Sequence, residues 1–339
     1  MTCTVIVGGF FGDEGKGKIV SYLAIKDKPK IAVRGGVGPN AGHTVVYRGI
    51  ESRLRMLPSA LINESTKLMI GAGVLVDPKV LTREIEQFNV DNRVTIDRQC
   101  GVIEEKHVEK DRSDAYLKGK IGTTGTGCGP ANVERIMRVA RLAKDVPSLS
   151  KYTGDVSFLV NEAISSGETV HVEGTQGTYI SLYHGTYPFV TTKDVTASAI
   201  CSDIGIGPKA VDSVLIVFKA YVTRVGAGEL PGELSEQEAE KRGWLERATV
   251  TGRTRRSAPF NFELAKRAVM LNSATQVAVT KFDILFPAAK NLRDFSLLPV
   301  DARKMVENIE KEVKVPVSII STGADAEATI DRRKELGLK

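Results

Sequence analysis

The sequence predicts an α/β fold built on a mainly parallel, twisted sheet with flanking helices. Three observations carry this: short β-branched runs recur ahead of Gly-rich turns, amphipathic segments lie between them, and no low-complexity tract or Ser/Pro-rich linker interrupts the 339 residues. The runs are Thr4 to Val7, Ile31 to Val33, Leu68 to Ile70, Thr169 to Val172, Val214 to Val217, Val277 to Val279 and Val317 to Ile320. Continuous apolar runs of this length suit strands buried on both faces, the usual state of a parallel sheet. Glu263 to Ser273 carries Leu264, Ala268 and Leu271 at helical spacing and feeds the strand at Val277. From Asp301, the residues Met305, Val306, Ile309 and Val313 mark a second amphipathic helix, which returns the chain to the strand at Val317. Strand, helix and parallel strand make a βαβ unit. With no linker, residues 1–339 read as a single elaborated domain.

Composition narrows the classes of function. With 42% hydrophobic and 26% charged residues the chain is ordinary globular material. The net charge of +6 would suit a nucleic-acid partner, but the signs are interspersed and aromatics make up only 6%. A site for polyanionic small molecules explains the excess equally well, and no nucleic-acid partner is expected. Cys3, Cys100, Cys128 and Cys201 lie far apart without metal-ligand spacing, so no disulfide framework or zinc site is predicted. Thr4 to Val7 is too short for a secretory signal, and no run approaches the roughly 18 apolar residues of a membrane span. A soluble, cytoplasmic protein without a membrane partner is the expectation.

The first strand opens into Gly8-Gly9-Phe10-Phe11-Gly12-Asp13-Glu14-Gly15-Lys16-Gly17-Lys18, followed by a helical Ile19 to Ile25. Glycines and lysines at a helix N-terminus suit phosphate, because free N–H groups and the helix dipole converge there. Gly12 to Lys18 matches G-x-x-x-x-G-K, but Ile19 stands where a P-loop has the Ser or Thr that holds magnesium. A Gly-rich turn with solvated lysines is the bland alternative. An aspartate inside a phosphate loop is repulsive unless a metal or a proton transfer offsets it, so Asp13 points to chemistry.

Thr280-Lys281-Phe282-Asp283 ends a strand, matching the [N/T]-K-x-D guanine motif in residue type and place. A carboxylate there can accept from both N1–H and the exocyclic amine of guanine, a donor pair that adenine lacks. Alone the four residues could equally cap a turn. Ser321-Thr322-Gly323, after the next strand, offers the hydroxyl and backbone contacts of a base pocket. Together the loops give a P-loop-like, GTP-binding topology.

These segments resemble the adenylosuccinate synthetase family. Gly12 to Lys18 looks like its G-D-E-G-K-G-K signature, Asn40-Ala41-Gly42-His43-Thr44 like N-A-G-H-T, and Ile121-Gly122-Thr123-Thr124-Gly125 like I-G-T-T-G. Glu173-Gly174-Thr175-Gln176-Gly177-Thr178 is similar to E-G-A-Q-G-T, and the stretches His184 to Thr191 and Thr223 to Gly228 are close to family stretches as well. The matches extend from residue 8 to residue 325. The resemblance implies a cytoplasmic, magnesium-dependent homodimer in which GTP phosphorylates O6 of IMP and the amine of L-aspartate then displaces phosphate.

It also implies roles. Asp13 would remove the N1 proton of IMP and ligate magnesium with the Gly42 carbonyl, and His43 would assist departure of the γ-phosphoryl group. Gly12, Glu14, Gly15, Lys16, Gly17, Lys18, Gly42, Thr44, Arg255, Lys281, Asp283, Ser321 and Gly323 would bind GTP. Asp13, Lys16, Asn40, Thr124, Gln176, Thr191 and Arg253 would serve IMP, joined by Arg138 from the neighbouring subunit. Thr249 to Arg256 is similar to the family's mobile Arg-rich loop, with Thr251, Arg253 and Arg255 offered to aspartate. The bland readings are a surface arginine for Arg138 and a solvated charge run for the loop. His107 and His171 read as structural, and His184 takes no role.

The sequence departs from the family pattern in places. Phe11 replaces a tryptophan, Val250 interrupts the loop start and Thr254 replaces an arginine. The stretches from Arg138 to Glu173 and from Asp283 to Ser321 are shorter than in longer members, as expected of a compact form. A GTP-binding regulatory switch is the alternative, but no Asp-x-x-Gly for sensing a γ-phosphate occurs.

Overall fold

The computed structural model describes residues 3–247 and 252–338. A ten-stranded sheet runs in the order Thr329–Asp331, Val317–Ser321, Gln276–Thr280, Ser213–Lys219, Cys3–Gly8, Val170–Glu173, Ile31–Arg34, Lys67–Ile70, Val94–Asp97, Thr153–Gly154. Every pairing is parallel except that of the edge strand Thr329–Asp331, which runs antiparallel to Val317–Ser321. All seven apolar runs are strands of this sheet. Both of its faces are dry. Val5, Val7 and Ile216 pack into one core cluster, while Ile6, Leu215 and Val217 of the same strands pack into the other. Full burial of one such side chain contributes about 1.5–3 kcal/mol, which is why unbroken apolar runs persist here.

Helix Lys16–Asp27 covers one face with Ile19 and Leu23, while Phe262–Asn272 and Val300–Val313 cover the other. In Val300–Val313 the buried residues are Ala302, Val306, Ile309 and Val313, with Met305 at the rim. In Phe262–Asn272 the buried stripe is Ala265, Ala268, Val269 and Asn272. Leu264 and Leu271 flank it, because the small Ala265 and Ala268 allow closer approach to the sheet. Among the described residues no helix is long and apolar enough to cross a membrane.

Among the described residues three smaller sheets accompany the large one, and two of them carry residues that line the cavity described below. His43–Tyr47 and Ile50–Leu54 form a hairpin. Tyr221–Arg224, Thr254–Pro259 and Glu246–Arg247 form a three-stranded antiparallel sheet. The arginine run expected as a loop is therefore a strand from Thr254 onward, with Arg255 opposite Glu246 and Arg256 opposite Arg224. Ladder hydrogen bonds and the stacking of Tyr221 on Trp244, with centroids 4.6 Å apart, hold it in place.

Candidate active site

Strands Cys3–Gly8, Ile31–Arg34, Val170–Glu173, Ser213–Lys219, Gln276–Thr280 and Val317–Ser321 all point their carboxyl ends into one cavity of about 730 Å³. Gly12, Asp13, Gly15, Lys16, Gly17, Lys18, Asn40, Gly42, His43, Thr44, Thr124, Gln176, Thr191, Arg253, Arg255, Lys281, Asp283, Ser321 and Gly323 line it. Two expected residues do not. The Glu14 carboxylate is turned into the loop, and Arg138 is exposed at the end of helix Cys128–Met137. Thr251 lies outside the described residues, as do Thr249 and Val250.

The phosphate loop is shaped from within. Glu14 Oε1 accepts from the N–H groups of Phe10 at 3.0 Å and Gly12 at 2.8 Å, and Glu14 Oε2 lies 3.0 Å from Lys16 Nζ. Lys16 Nζ also donates to the Gln176 carbonyl. Glu14 thus orients the loop's donors. Asp13 at φ 60°, Gln176 at φ 56° and Lys281 at φ 59° hold left-handed backbones around the cavity. Each costs about 1–3 kcal/mol, which the surrounding contacts must offset. At Gly17 a Cβ would sit 2.9 Å from the Cβ of His43, so only glycine lets the helix start approach that residue.

His43 is nine-tenths buried on the hairpin, where its Nδ1 meets Glu173 Oε1. Burial would raise the carboxyl pKa of Glu173, but His43, Arg34 and Ser59 hold it down to about 2. Ser59 contributes N–H and Oγ contacts of 2.6 and 2.7 Å, while Arg34 Nη1 lies 3.6 Å away. An ionised carboxylate only accepts, so Nδ1 carries the proton and donates, leaving Nε2 for a ligand. Burial and the Arg34 charge pull the His43 pKa down to about 4 against the pull of Glu173. The ring is neutral at physiological pH.

Beside it lies a chain of charges. Arg255 Nε makes an ion-pair contact of 2.9 Å with Asp13 Oδ2, and Arg255 Nη1 donates to Glu246. Glu246 also accepts from Lys219 Nζ at 3.1 Å and from the Tyr221 hydroxyl, with Lys281 Nζ 3.9 Å away. Burial would raise the Glu246 pKa, but Lys219, Lys281 and Arg255 keep its carboxyl well below the usual range. Burial lowers the Lys219 ammonium in turn.

At the other end the Ser321–Ala324 loop faces Lys281, Asp283 and Ile284 across the cavity. Thr280 Oγ1 donates to the Glu14 carbonyl at 2.6 Å, tying the base motif to the phosphate loop. Elsewhere on the wall, Asn40 Nδ2 reaches Thr191 Oγ1 at 3.3 Å, and its buried Oδ1 has no partner among the described residues. Thr124 and Thr126 hydroxyls share a 3.0 Å bond. Ile19, at the position of the P-loop hydroxyl, is wholly buried in the core.

The adenylosuccinate synthetase family profile matches residues 5–148 and 139–290. The chain belongs to the adenylosuccinate synthetase family. It is 54% identical over 338 residues to the adenylosuccinate synthetase of Methanococcus vannielii, covering 99% of this chain and 100% of that one. The enzyme of Methanocaldococcus jannaschii is 53% identical over 339 residues, covering 99% and 98%. The solved adenylosuccinate synthetase of Plasmodium falciparum shares the fold with a TM-score of 0.89 at 23% identity, covering 97% of this chain and 99% of that one. The chain's length is thus shared with both of these relatives.

Sequence reading missed Arg34, Glu173 as a partner of His43, Lys219, Tyr221 and Glu246. A signal existed for three of them. Arg34, Glu173 and Lys219 each close an apolar strand with a single charge, at the edge where α/β sheets bind ligands. His107 and His171, expected to be structural, do not line the cavity. His107 Nδ1 accepts from the Glu104 N–H at 2.9 Å, and buried His171 lies 3.3 Å from Asp27.

Proposed function

We propose that this cavity is where the chain, as an adenylosuccinate synthetase, joins the amino group of L-aspartate to IMP using GTP, through 6-phosphoryl-IMP. The observation that carries the proposal is that the phosphate loop, the Asn40–Thr44 turn, the Thr-Lys-x-Asp motif and the Arg255 strand all open into one space. Guanine would lie between Asp283 and the Ser321–Ala324 loop. The phosphates would run along Gly12–Lys16, Gly42 and Thr44 toward His43. IMP would take Asn40, Thr124, Gln176 and Thr191, with Arg253 and Arg255 turned to the aspartate carboxylates.

Asp13 acts on N1–H of IMP, which raises the nucleophilicity of O6. For this its contact with Arg255 opens, and the freed guanidinium can fork onto an incoming carboxylate. His43 is neutral without ligand; negative phosphates nearby favour the imidazolium, whose Nε2–H can then donate to the departing group. The Asp13 carboxylate and the Gly42 carbonyl are hard oxygen donors on the same cavity, a set that fits magnesium completed by phosphate oxygens and water. When bound, that ion neutralises phosphate charge.

The place of Arg138 outside its own cavity supports a homodimer in which it acts in trans. Arg138 projects from an apolar patch in which Val133, Ile136, Met137 and Val139 are 52–76% exposed, a surface suited to a second copy. Four free, buried cysteines suit a reducing cytoplasm. A coupled assay that omits GTP, IMP and aspartate in turn tests the function: product must require all three. GTP hydrolysis independent of the other two would support the switch reading instead.

A further inference from the structure

Lys18 occupies the place where a P-loop lysine reaches the β- and γ-phosphates, yet its ammonium turns the other way. Lys18 Nζ lies 2.5 Å from Ser321 Oγ, 2.8 Å from the Gly323 carbonyl and 2.6 Å from the Ala328 carbonyl. An ammonium has three donors, and these acceptors use all three. Both ends of the turn from Ser321 to Ala328 are gripped by one side chain of the phosphate-loop helix.

The same turn is held from its other side. Ala326 N–H donates to the Val46 carbonyl at 2.7 Å, Thr322 N–H to the Ala328 carbonyl at 3.0 Å, and Thr322 Oγ1 to the Leu292 carbonyl at 2.7 Å. Ser321, Gly323 and Ala324 line the same cavity as Asp283. We propose that Lys18 is a positioning residue that builds the guanine-binding wall, and that it is not a ligand of the nucleotide phosphates. The proposal rests on reading this cavity as a GTP site.

One further observation agrees. The side chain is nine-tenths buried, so turning it to phosphate would leave three acceptors without that ammonium.

The test separates base from phosphate by using each alone. Wild type and Lys18→Met are titrated with guanosine, adenosine, GTP and inorganic tripolyphosphate, by displacement of a fluorescent GDP or by calorimetry. Lys18→Met should weaken guanosine and GTP by about 10–100-fold while tripolyphosphate changes less than about 2-fold, the scale of losing charge-assisted bonds at a remote wall. In turnover the KM for GTP should rise with kcat held within about 3-fold, because the reacting phosphates are untouched. Ser321→Ala, which removes one acceptor and leaves the fold intact, should shift guanosine in the same direction by about 2–5-fold. An equal loss for guanosine and tripolyphosphate, a loss for tripolyphosphate alone, or a fall in kcat by orders of magnitude would each overturn the proposal while leaving the GTP site standing. A wild-type protein with no preference for guanosine over adenosine would overturn the functional reading itself, and the proposal with it.

Discussion

The two ends of the cavity are built differently. At the end proposed for guanine the wall is a backbone turn whose hydroxyl and carbonyls accept from Lys18. At the other end the walls are charged side chains that satisfy one another: Asp13 with Arg255, Arg255 with Glu246, Glu246 with Lys219. The first is already shaped for a ligand. The second must exchange partners before it can act, because Asp13 and Arg255 occupy each other. This difference suits a base that is only recognised and substrates that react, since preformed contacts give selectivity and exchangeable charges answer to charge that develops during reaction.

The largest expected effect comes from the charged end. Asp13→Ala should keep its fold by circular dichroism yet lose kcat by about 10³-fold or more, as expected for losing a base and a metal ligand together. Near-normal turnover would show that Asp13 is only a counterion for Arg255. Mixed with inactive Arg138→Leu, the same variant should regain activity once subunit exchange is verified, because one site of each heterodimer is then intact.

The guanine end should respond more narrowly. Asp283→Asn replaces one acceptor oxygen with a donor, which repels the guanine amine but can bond the 2-oxo group of xanthine. The ratio of kcat/KM for GTP to that for XTP should fall by about 10–1000-fold, with KM for IMP and aspartate little changed. If the ratio stays put, Asp283 does not read the base and the guanine wall is elsewhere.

Glu246→Gln tests whether the charge chain is a unit. Removing this carboxylate leaves Lys219 and Arg255 without their shared partner, so we expect a loss of about 1–3 kcal/mol in stability by denaturant titration. A raised KM for aspartate should accompany it. Guanosine affinity should change less than about 2-fold, since only Lys281 of that end lies near Glu246, at 3.9 Å, and the Ser321–Ala328 turn stands on other contacts. A parallel loss of guanosine binding would mean that the two ends are not separable.

The last effect is one of pH. The His43 pKa lies at about 4 in the native protein against an ordinary 6.5. Between these values the unfolded chain binds the extra proton and the native one does not, so stability rises with pH across the window and is lost as pH falls from 6.5 toward 4. Imidazole NMR should place the His43 midpoint well below 6.5 without ligand and higher with GTP bound. A ligand-free midpoint near 6.5 would remove the account of His43 as a neutral residue awaiting phosphate.

How much of this was legible beforehand depends on the range of the interactions. Apolar runs such as Val214 to Val217 declare themselves because both faces of a parallel strand must be dry, and that demand is written locally. The Gly12–Lys18 loop and Thr280–Asp283 are legible for a related reason: the contacts proposed for phosphate and guanine come from consecutive residues at a strand end. The three-stranded sheet with Arg255 was not legible, because its strands are short, charged and paired across more than 20 intervening residues between Arg224 and Thr254. By itself, then, the sequence determined seven strands of the large sheet, the helices that lead into Val277 and Val317, and the family. Only the tertiary structure decided that Lys18 turns to Ser321, that Glu173 fixes the proton of His43, and that Glu246 holds Arg255 and Lys219. A buried charge must find its partner within a few ångströms of where folding leaves it. That partner is set by proximity in space across hundreds of residues, which no local pattern encodes.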